Sequence, residues 1–146
     1  METPLRILRE CVVESTFQIN FSDVSQDMLI FSLEDSMNFK KLPKKYYSVA
    51  YEYVVGINQN RQLIDAIIEK HLENWTFSRL GNIEKCILRM SVFEILKKPE
   101  IPLKVIFDES VEISKKYCDD ESSKFVNGIL DRISRDSDII SHKASD

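Results

Sequence analysis

An apolar stripe over residues 82–99 is the feature that most constrains how this chain can fold. Its members recur at offsets of three and four, the spacing that places side chains on one face of an α-helix. They are Ile83, Cys86, Ile87, Met90, Phe93 and Leu96. Pro99 then ends the run, because proline lacks the backbone N–H that a continuing helix needs. The pattern predicts a long helix at the centre of a core.

The same spacing recurs along most of the chain and predicts an all-α fold. Only three glycines and four prolines interrupt the 146 residues, and the apolar residues do not alternate as they would in strands. About seven helices are expected from this pattern. The first four span roughly residues 4–20, 25–37, 43–57 and 62–74, and Leu5, Met28 and Val105 are among the residues expected to face inward.

Two features of the C-terminal half predict particular helix contacts. Arg89 lies within an apolar run, and Glu109 lies on the stripe that the next helix turns towards the core. Because a buried charge needs a partner, we expect an ion pair between these two side chains. Gly128 is expected to permit close packing of another helix, since a glycine inside a helix otherwise costs stability.

The charge balance argues against a protein that binds nucleic acid through a broad basic surface. Twenty Lys and Arg oppose 24 Asp and Glu, which leaves a net charge of -4, whereas backbone binding is driven by cation–phosphate contacts. RNA binding would therefore be local or would involve a basic partner. Two groups of cations are available, namely Arg6 with Arg9, and Lys40, Lys41, Lys44 and Lys45. For the four lysines, the sequence does not distinguish RNA contact from simple exposure to solvent.

The sequence contains no recognisable catalytic or metal-binding motif. It lacks a glycine-rich phosphate loop and a nucleophile elbow, its three cysteines are far apart, and only His71 and His142 could supply nitrogen ligands. A non-enzymatic protein without cofactor, metal or disulfide is expected. Residues 1–9 lack the apolar core of a secretory signal, and no apolar run approaches the ~18 residues of a membrane helix. We therefore expect a cytoplasmic protein without membrane contact.

Three segments of the C-terminal half carry a family resemblance: IEKCILR at residues 83–89, IPLKV at 101–105 and KFVNGILD at 124–131. In order and spacing they resemble the NusB family, the helical RNA-binding proteins of bacterial transcription antitermination. The resemblance continues through residues 75–80, more loosely through 51–72, and into the first helix at residues 9–13. It covers most of the chain.

The resemblance implies a single NusB-like RNA-binding domain over residues 1–146, built as two small packed helical bundles. Approximate subdomains are expected at residues 1–60 and 61–135, with their boundary between residues 56 and 74. Residues 136–146 are mostly polar, and we expect them to form a flexible tail.

In the NusB family, an arginine-rich first helix and a following aromatic residue bind boxA, a short single-stranded RNA element. Arg9 matches the family arginine, Arg6 lies near another, and Phe17 occupies the position of a family tyrosine. This chain has fewer arginines than the family often shows, and Phe17 lacks the hydroxyl but keeps a ring for base stacking. The resemblance implies that Arg9→Ala weakens RNA binding by about 1 to 3 kcal/mol and barely changes stability.

The resemblance also implies a second surface, shared by RNA and a partner protein. Lys85, Lys124 and Phe125 are expected to contact RNA there, and Glu84 and Glu121 to contact the partner. The family partner is NusE, a small-subunit ribosomal protein that is basic like most ribosomal proteins. An acidic protein can dock such a partner through carboxylates while it offers only a few cations to RNA.

The resemblance therefore implies a transcription antitermination factor that binds boxA-type RNA with NusE in the RNA polymerase antitermination complex on ribosomal RNA operons. Two alternatives remain open. One is a helical adaptor that keeps only the protein contact, which the thinned arginine cluster favours. The other is an RNA-binding domain related to those fused to ribosomal RNA methyltransferases, although no glycine-rich cofactor loop follows here. The sequence does not decide between a monomer and a homodimer, nor which RNA sequence is preferred.

Overall fold

The protein is described by a computed structural model over residues 2–73 and 76–140, and its secondary structure there is entirely helical. Eight α-helices and three short 3-10 helices occur within those residues. The prediction of an all-α fold is confirmed. The contacts between elements divide the chain into two compact units, Met1–Asn60 and Arg61–Asp146.

The first unit contains three α-helices that pack against one another. They are α1 (Pro4–Thr16), α2 (Gln26–Phe39) and α3 (Tyr47–Gln59). A 3-10 helix, Phe17–Asn20, continues α1, and a second one, Lys44–Tyr46, leads into α3.

Local sequence explains where α1 and α2 begin. The Thr3 hydroxyl accepts a hydrogen bond from the N–H of Arg6 at 3.2 Å, and Pro4 occupies the first helical position, where its missing N–H costs nothing. The Ser25 hydroxyl likewise accepts from the N–H of Met28 at 3.2 Å.

The second unit is organised around one buried helix. Its helices are α4 (Arg61–Lys70), α5 (Asn82–Lys97), α6 (Leu103–Tyr117), α7 (Asp120–Ser134) and α8 (Ser137–Ile140), with a 3-10 helix at Phe77–Arg79. Helix α5 contacts the other four α-helices of the unit, and every residue from 86 to 95 is buried. The prediction of a central core helix is confirmed.

Helices α5 and α6 approach each other through small polar side chains. Ser91 and Ser110 are both buried, and their hydroxyl oxygens lie 2.5 Å apart. Each hydroxyl also lies close to a carbonyl oxygen of its own helix, so the pair is satisfied without water. Larger side chains at these positions would separate the two helices.

Three apolar residues that were expected to face inward are exposed instead. The exposed fractions are 49% for Leu5, 54% for Met28 and 41% for Val105. Each lies in the first turn of its helix, where the apolar stripe extends beyond the part that a neighbouring helix covers.

Gly128 does not mark a close helix contact. A Cβ placed on this residue would meet no atom within 4 Å, so the expectation of tight packing there is wrong. Alanine would fit in the same space and, by helix propensity, would stabilise α7 by about 1 kcal/mol.

A short helix begins within residues 136–146, the segment where a flexible tail was expected. Residues Ser137–Ile140 form α8, which contacts α5 and α7, and Ile139 is buried. Burial of this one apolar side chain offsets the polar character that favoured a tail. Residues 141–146, like Trp75 and the end of the helix predicted at residue 74, lie outside the described residues.

Candidate nucleic-acid interface

The predicted RNA-binding residues of the first unit differ in exposure. Arg6 and Phe17 are half-buried, so part of each side chain can reach a ligand. Arg9 is only 5% exposed. A guanidinium this deeply placed has to be satisfied within the protein. Arg6 is therefore the accessible arginine of α1, and Arg9 lies behind the surface.

Phe21 is an aromatic neighbour of Phe17 that the sequence analysis missed. The two ring centroids are 5.3 Å apart at an interplanar angle of 56°, and Phe21 is 65% exposed. The four-residue spacing was a usable signal, because residues at i and i+4 meet on one side of a helical segment. The pair presents two ring surfaces of the kind on which unpaired bases stack.

In the second unit, three predicted residues line one groove. Glu84 from the start of α5 and Glu121 and Phe125 from the start of α7 surround an open cavity of about 250 Å³. The other lining residues are Arg79, Leu80, Asp119 and Ser122. We call this the α5–α7 groove. Three of its seven lining side chains are carboxylates and one is a cation, so its potential is negative.

The surroundings shift the pKa values of two groups beside this groove, Cys118 and Asp119. Partial burial, and then the negative charge of Glu84, raise the pKa of the Cys118 thiol above its ordinary value of 9.0. Asp119 caps α7 by accepting a hydrogen bond from the N–H of Ser122 at 2.8 Å. That bond and the Ser122 hydroxyl hold the pKa of Asp119 below its ordinary value of 3.8. The lowered pKa keeps the Asp119 carboxylate charged at neutral pH, which adds to the negative charge of the groove.

Glu84 also has a structural task. Its Oε1 accepts a hydrogen bond from the N–H of Gly81 at 2.9 Å, which satisfies a donor at the start of α5. A Cβ on Gly81 would lie 3.0 Å from the same oxygen, so the glycine leaves room for this contact. Glu84 thus has two roles: it caps the start of α5 at the edge of the groove, and it contributes negative charge to the groove.

The two predicted lysines do not line the α5–α7 groove. Lys124 lines a second cavity, of about 480 Å³, with Val111, Lys115, Asp120, Ser123 and Asn127 between α6 and α7. Lys85 lies over the ring of Phe77, with its Nζ 5.2 Å from the ring centroid. Residues that are close in sequence are separated because successive positions on a helix point in different directions.

Arg89 has a partner that the sequence analysis did not name. Its Nε and one terminal nitrogen donate to the two carboxylate oxygens of Asp65 on α4, at 2.8 Å and 3.1 Å. The guanidinium also lies 5.2 Å from the centroid of Phe77. This two-point ion pair fastens α5 to α4, since Arg89 is 4% exposed. The pair with Glu109 stays a prediction.

Neither a metal-ion cluster nor a membrane-spanning helix is found among the described residues. Over residues 2–73 and 76–140, no group of three or more His, Cys, Asp or Glu side chains is placed to hold a metal ion. Within the same part of the chain, no helix is long and apolar enough to cross a membrane. What the units present is a set of aromatic rings, a few cations and an acidic groove.

Comparisons with known proteins give a consistent result. The model of the NusB family matches residues 6–135. Over 137 residues the chain is 40% identical to the transcription antitermination protein NusB of Fervidobacterium nodosum, covering 93% of this chain and 94% of that protein. The NusB of Bacillus licheniformis is 34% identical over 131 residues, which are 90% of this chain and 96% of that one.

Solved structures share the fold. NusB of T. maritima superposes with a TM-score of 0.80 at 37% identity, covering 93% of this chain and 94% of that chain. The NusB-like chain in a crystal structure of the antitermination factors NusB and NusE with double-stranded RNA gives a TM-score of 0.77 at 27% identity, covering 91% and 97%.

Proposed function

This chain belongs to the NusB family, and we propose that it is a transcription antitermination factor that binds boxA-type single-stranded RNA together with NusE. It acts in the cytoplasm as a non-enzymatic part of the RNA polymerase antitermination complex on ribosomal RNA operons. A relative of the same fold is known in complex with NusE and double-stranded RNA, which supports NusE as a partner and RNA as the class of ligand.

The α5–α7 groove is the observation that carries this proposal. Glu84 is separated from Glu121 and Phe125 by more than thirty residues of sequence, yet the three side chains line one cavity. An acidic groove with a half-buried ring suits a basic protein that brings an aromatic or aliphatic anchor. Glu84 and Glu121 attract NusE, and Phe125 contributes apolar contact at the rim beside the RNA.

Single-stranded RNA is bound by rings and a few local cations. In the first unit, Phe17 stacks on a base, Arg6 pairs with a phosphate, and Arg9 supports that surface from behind. In the second unit, Lys85 and Lys124 add positive charge near the acidic groove. The net charge of -4 keeps the affinity of the protein alone low, so NusE raises it by adding cations.

A second candidate is an adaptor that binds NusE and no longer binds RNA. The burial of Arg9 favours it, because only Arg6 of the two predicted arginines on α1 is accessible. The adaptor and the antitermination factor differ in one measurable property, the RNA affinity of the complex.

The test is a fluorescence-anisotropy titration of a labelled boxA-like single-stranded RNA at two salt concentrations. The RNA is titrated with this protein, with NusE, and with both together, and an unlabelled duplex of the same sequence serves as competitor. We expect the two proteins together to bind about fivefold to 150-fold more tightly than either alone, since an effect of one partner on another is usually worth about 1 to 3 kcal/mol.

Each result of this titration assigns a function. Tighter binding by the pair, competed by single strands and poorly by duplex, supports the proposal. A protein pair that forms without any gain in RNA affinity supports the adaptor. If no pair forms and no RNA is bound, neither candidate holds.

Glu84→Gln tests the charge of the α5–α7 groove without removing the helix cap. The amide oxygen of glutamine can still accept the hydrogen bond from the N–H of Gly81, so the melting temperature should fall only slightly through the loss of charge at the start of α5. We expect the affinity for NusE to fall by about threefold to tenfold and to depend less on salt, because one attractive charge is lost. Isothermal titration calorimetry at two salt concentrations measures both.

Two further variants separate charge from structure. Glu84→Lys removes the cap and reverses the charge, so it should weaken NusE binding further and also lower stability by up to about 1 kcal/mol. Glu69→Gln, at an exposed carboxylate of α4 outside the groove, should leave both properties unchanged. Equal affinity for NusE in wild type and Glu84→Gln would remove this groove from the interface.

A further inference from the structure

The turn between α2 and α3 concentrates positive charge in an acidic protein. We call residues 39–46, with sequence FKKLPKKY, the lysine turn. Lys41, Lys44 and Lys45 are exposed, and Phe39 is 83% exposed. Lys45 lies over the ring of Tyr46, with its Nζ 5.3 Å from the ring centroid. Three exposed cations thus lie within a few residues of two aromatic rings.

The backbone of the lysine turn is held in one conformation. The N–H of Leu42 donates to the carbonyl of Met37 at 3.0 Å, and the N–H of Lys41 donates to the carbonyl of Asn38 at 3.2 Å. This is the hydrogen-bond pattern of a Schellman motif at the end of α2, and burial of Leu42 and Met37 completes it. The lysines therefore project from a fixed turn rather than from a loose loop.

Lys41 occupies a backbone position that favours glycine. Its φ is 58°, in the left-handed region, where side chains other than those of Gly and Asn are unfavourable. A lysine held there costs stability that glycine would not cost. The Schellman motif requires this φ at the residue that follows the end of α2, so the charge of Lys41 can be removed by glycine without loss of the turn.

The lysine turn is fastened beside α1. The Nζ of Lys40 lies 3.4 Å from Oε1 of Glu10 and 3.1 Å from Oε2 of Glu14. The Ser36 hydroxyl donates to the other oxygen of Glu14 at 2.7 Å. Lys40 is thus a positioning residue, whereas the other three lysines point their charge to solvent.

This attachment places the turn next to the proposed RNA surface of the same unit. Arg6 precedes Glu10 by four residues, and Phe17 follows Glu14 by three, so each is about one helical turn, or ~4.5 to 6 Å of rise, from the attachment point. A strand of RNA that contacts both Arg6 and Phe17 passes alongside the turn.

We infer that the lysine turn is a second contact site for single-stranded RNA, in which Lys41, Lys44 and Lys45 pair with phosphates and Phe39 stacks on a base. The inference rests on the proposed RNA-binding function and extends it. A basic protein partner would be repelled by three lysines, so the turn contacts RNA rather than NusE. Exposed rings beside cations are the combination that binds single strands without strong sequence preference.

Lys41→Gly gives the sharpest test, because its two expected effects have opposite sign. Glycine relieves the left-handed backbone, so the melting temperature should rise. The loss of one cation should weaken binding of the boxA-like RNA and reduce the salt slope of the affinity by about 0.7. A variant that is more stable and yet binds RNA less well cannot owe that loss to misfolding.

The full site is tested by removing its other groups. The triple variant Lys41→Gly, Lys44→Ala and Lys45→Ala should reduce the salt slope of the RNA affinity by about 2. The control is a second triple variant at three exposed lysines of the second unit, Lys97→Gln, Lys104→Gln and Lys116→Gln, and it should not reduce that slope. Phe39→Ala should weaken RNA binding by about tenfold. Phe31→Ala, at a ring of α2 that is 68% exposed and two turns away, is its matched control and should bind as wild type.

The outcomes separate this inference from the function on which it rests. If wild type with NusE binds the RNA and the triple-lysine variant has the same affinity and salt slope, the lysine turn is not an RNA contact. Equal losses in the two lysine triples would mean a general charge effect and would equally overturn the site. Absence of RNA binding by wild type, with or without NusE, would instead reject the proposed function.

Discussion

Asp65→Ala is expected to lower the free energy of unfolding by about 3 kcal/mol, the low end of the range for breaking a buried ion pair. Asp65 accepts both hydrogen bonds from Arg89, whose side chain is 5% exposed. Without the carboxylate, a buried guanidinium loses its two-point partner. The 25% exposure of the Asp65 side chain lets some water replace it, which keeps the loss at the low end.

Urea unfolding followed by circular dichroism measures this loss. Asp65→Asn keeps one oxygen acceptor but loses the negative charge. It should cost about half as much as Asp65→Ala, since the remaining hydrogen bond is weaker than one to a charged carboxylate. Glu69→Ala, one turn along the same face of α4, removes an exposed carboxylate and should change the free energy by less than about 0.5 kcal/mol. In an Arg89→Met background, Asp65→Ala should cost much less, because the charge it leaves unpaired is gone. An undiminished cost in that background would contradict the ion pair.

Arg9→Ala is expected to lower the free energy of unfolding by about 2 kcal/mol in addition to weakening RNA binding. The sequence alone implied a change in RNA affinity with little change in stability. The structure alters that expectation because Arg9 is 5% exposed, so its removal disturbs buried groups. Part of any loss of RNA affinity then comes from a displaced α1 surface rather than from a lost phosphate contact.

Arg6→Ala is the matched variant for Arg9. Arg6 is half-buried in the first turn of α1, so its loss should weaken RNA binding by about 1 kcal/mol with a small effect on stability. Arg9→Lys keeps the charge without the planar fork and should still lose stability. Thermal unfolding and RNA titration of the three variants, at a temperature where all are folded, separate the two roles. An unchanged melting temperature for Arg9→Ala would contradict a buried structural role.

Much of the fold follows from local sequence, because helix starts and helix periodicity depend on residues within about one turn of each other. Pro4 and Ser25 lie at helix starts, since a missing N–H and a capping hydroxyl act within one turn. The α5 stripe determines one buried helix face, because its period of three and four places apolar side chains there, whereas the burial of Ser91 and Glu94 on the same helix depends on packing. The family was also recognisable from segments short enough to read directly.

The candidate site could be predicted only in part. Glu84, Glu121 and Phe125 were named from resemblance, and the structure places them around one groove. Lys124 was named with them but lines a different cavity, because its position on α7 points it towards α6. Phe21 was missed although its spacing from Phe17 was visible, since an exposed ring gives no apolar pattern of its own.

By itself, the sequence determined the all-α class, the main helix starts, the central helix and the family of this protein. Tertiary structure decided that Asp65 pairs with Arg89, that Arg9 is buried, and that Lys40 fastens the lysine turn to Glu10 and Glu14. The physical reason is that helix periodicity depends on neighbours three or four residues apart. Ion pairs, burial and grooves depend on contacts between helices whose residues are twenty or more positions apart in sequence. Only packing determines which faces of those helices come into contact.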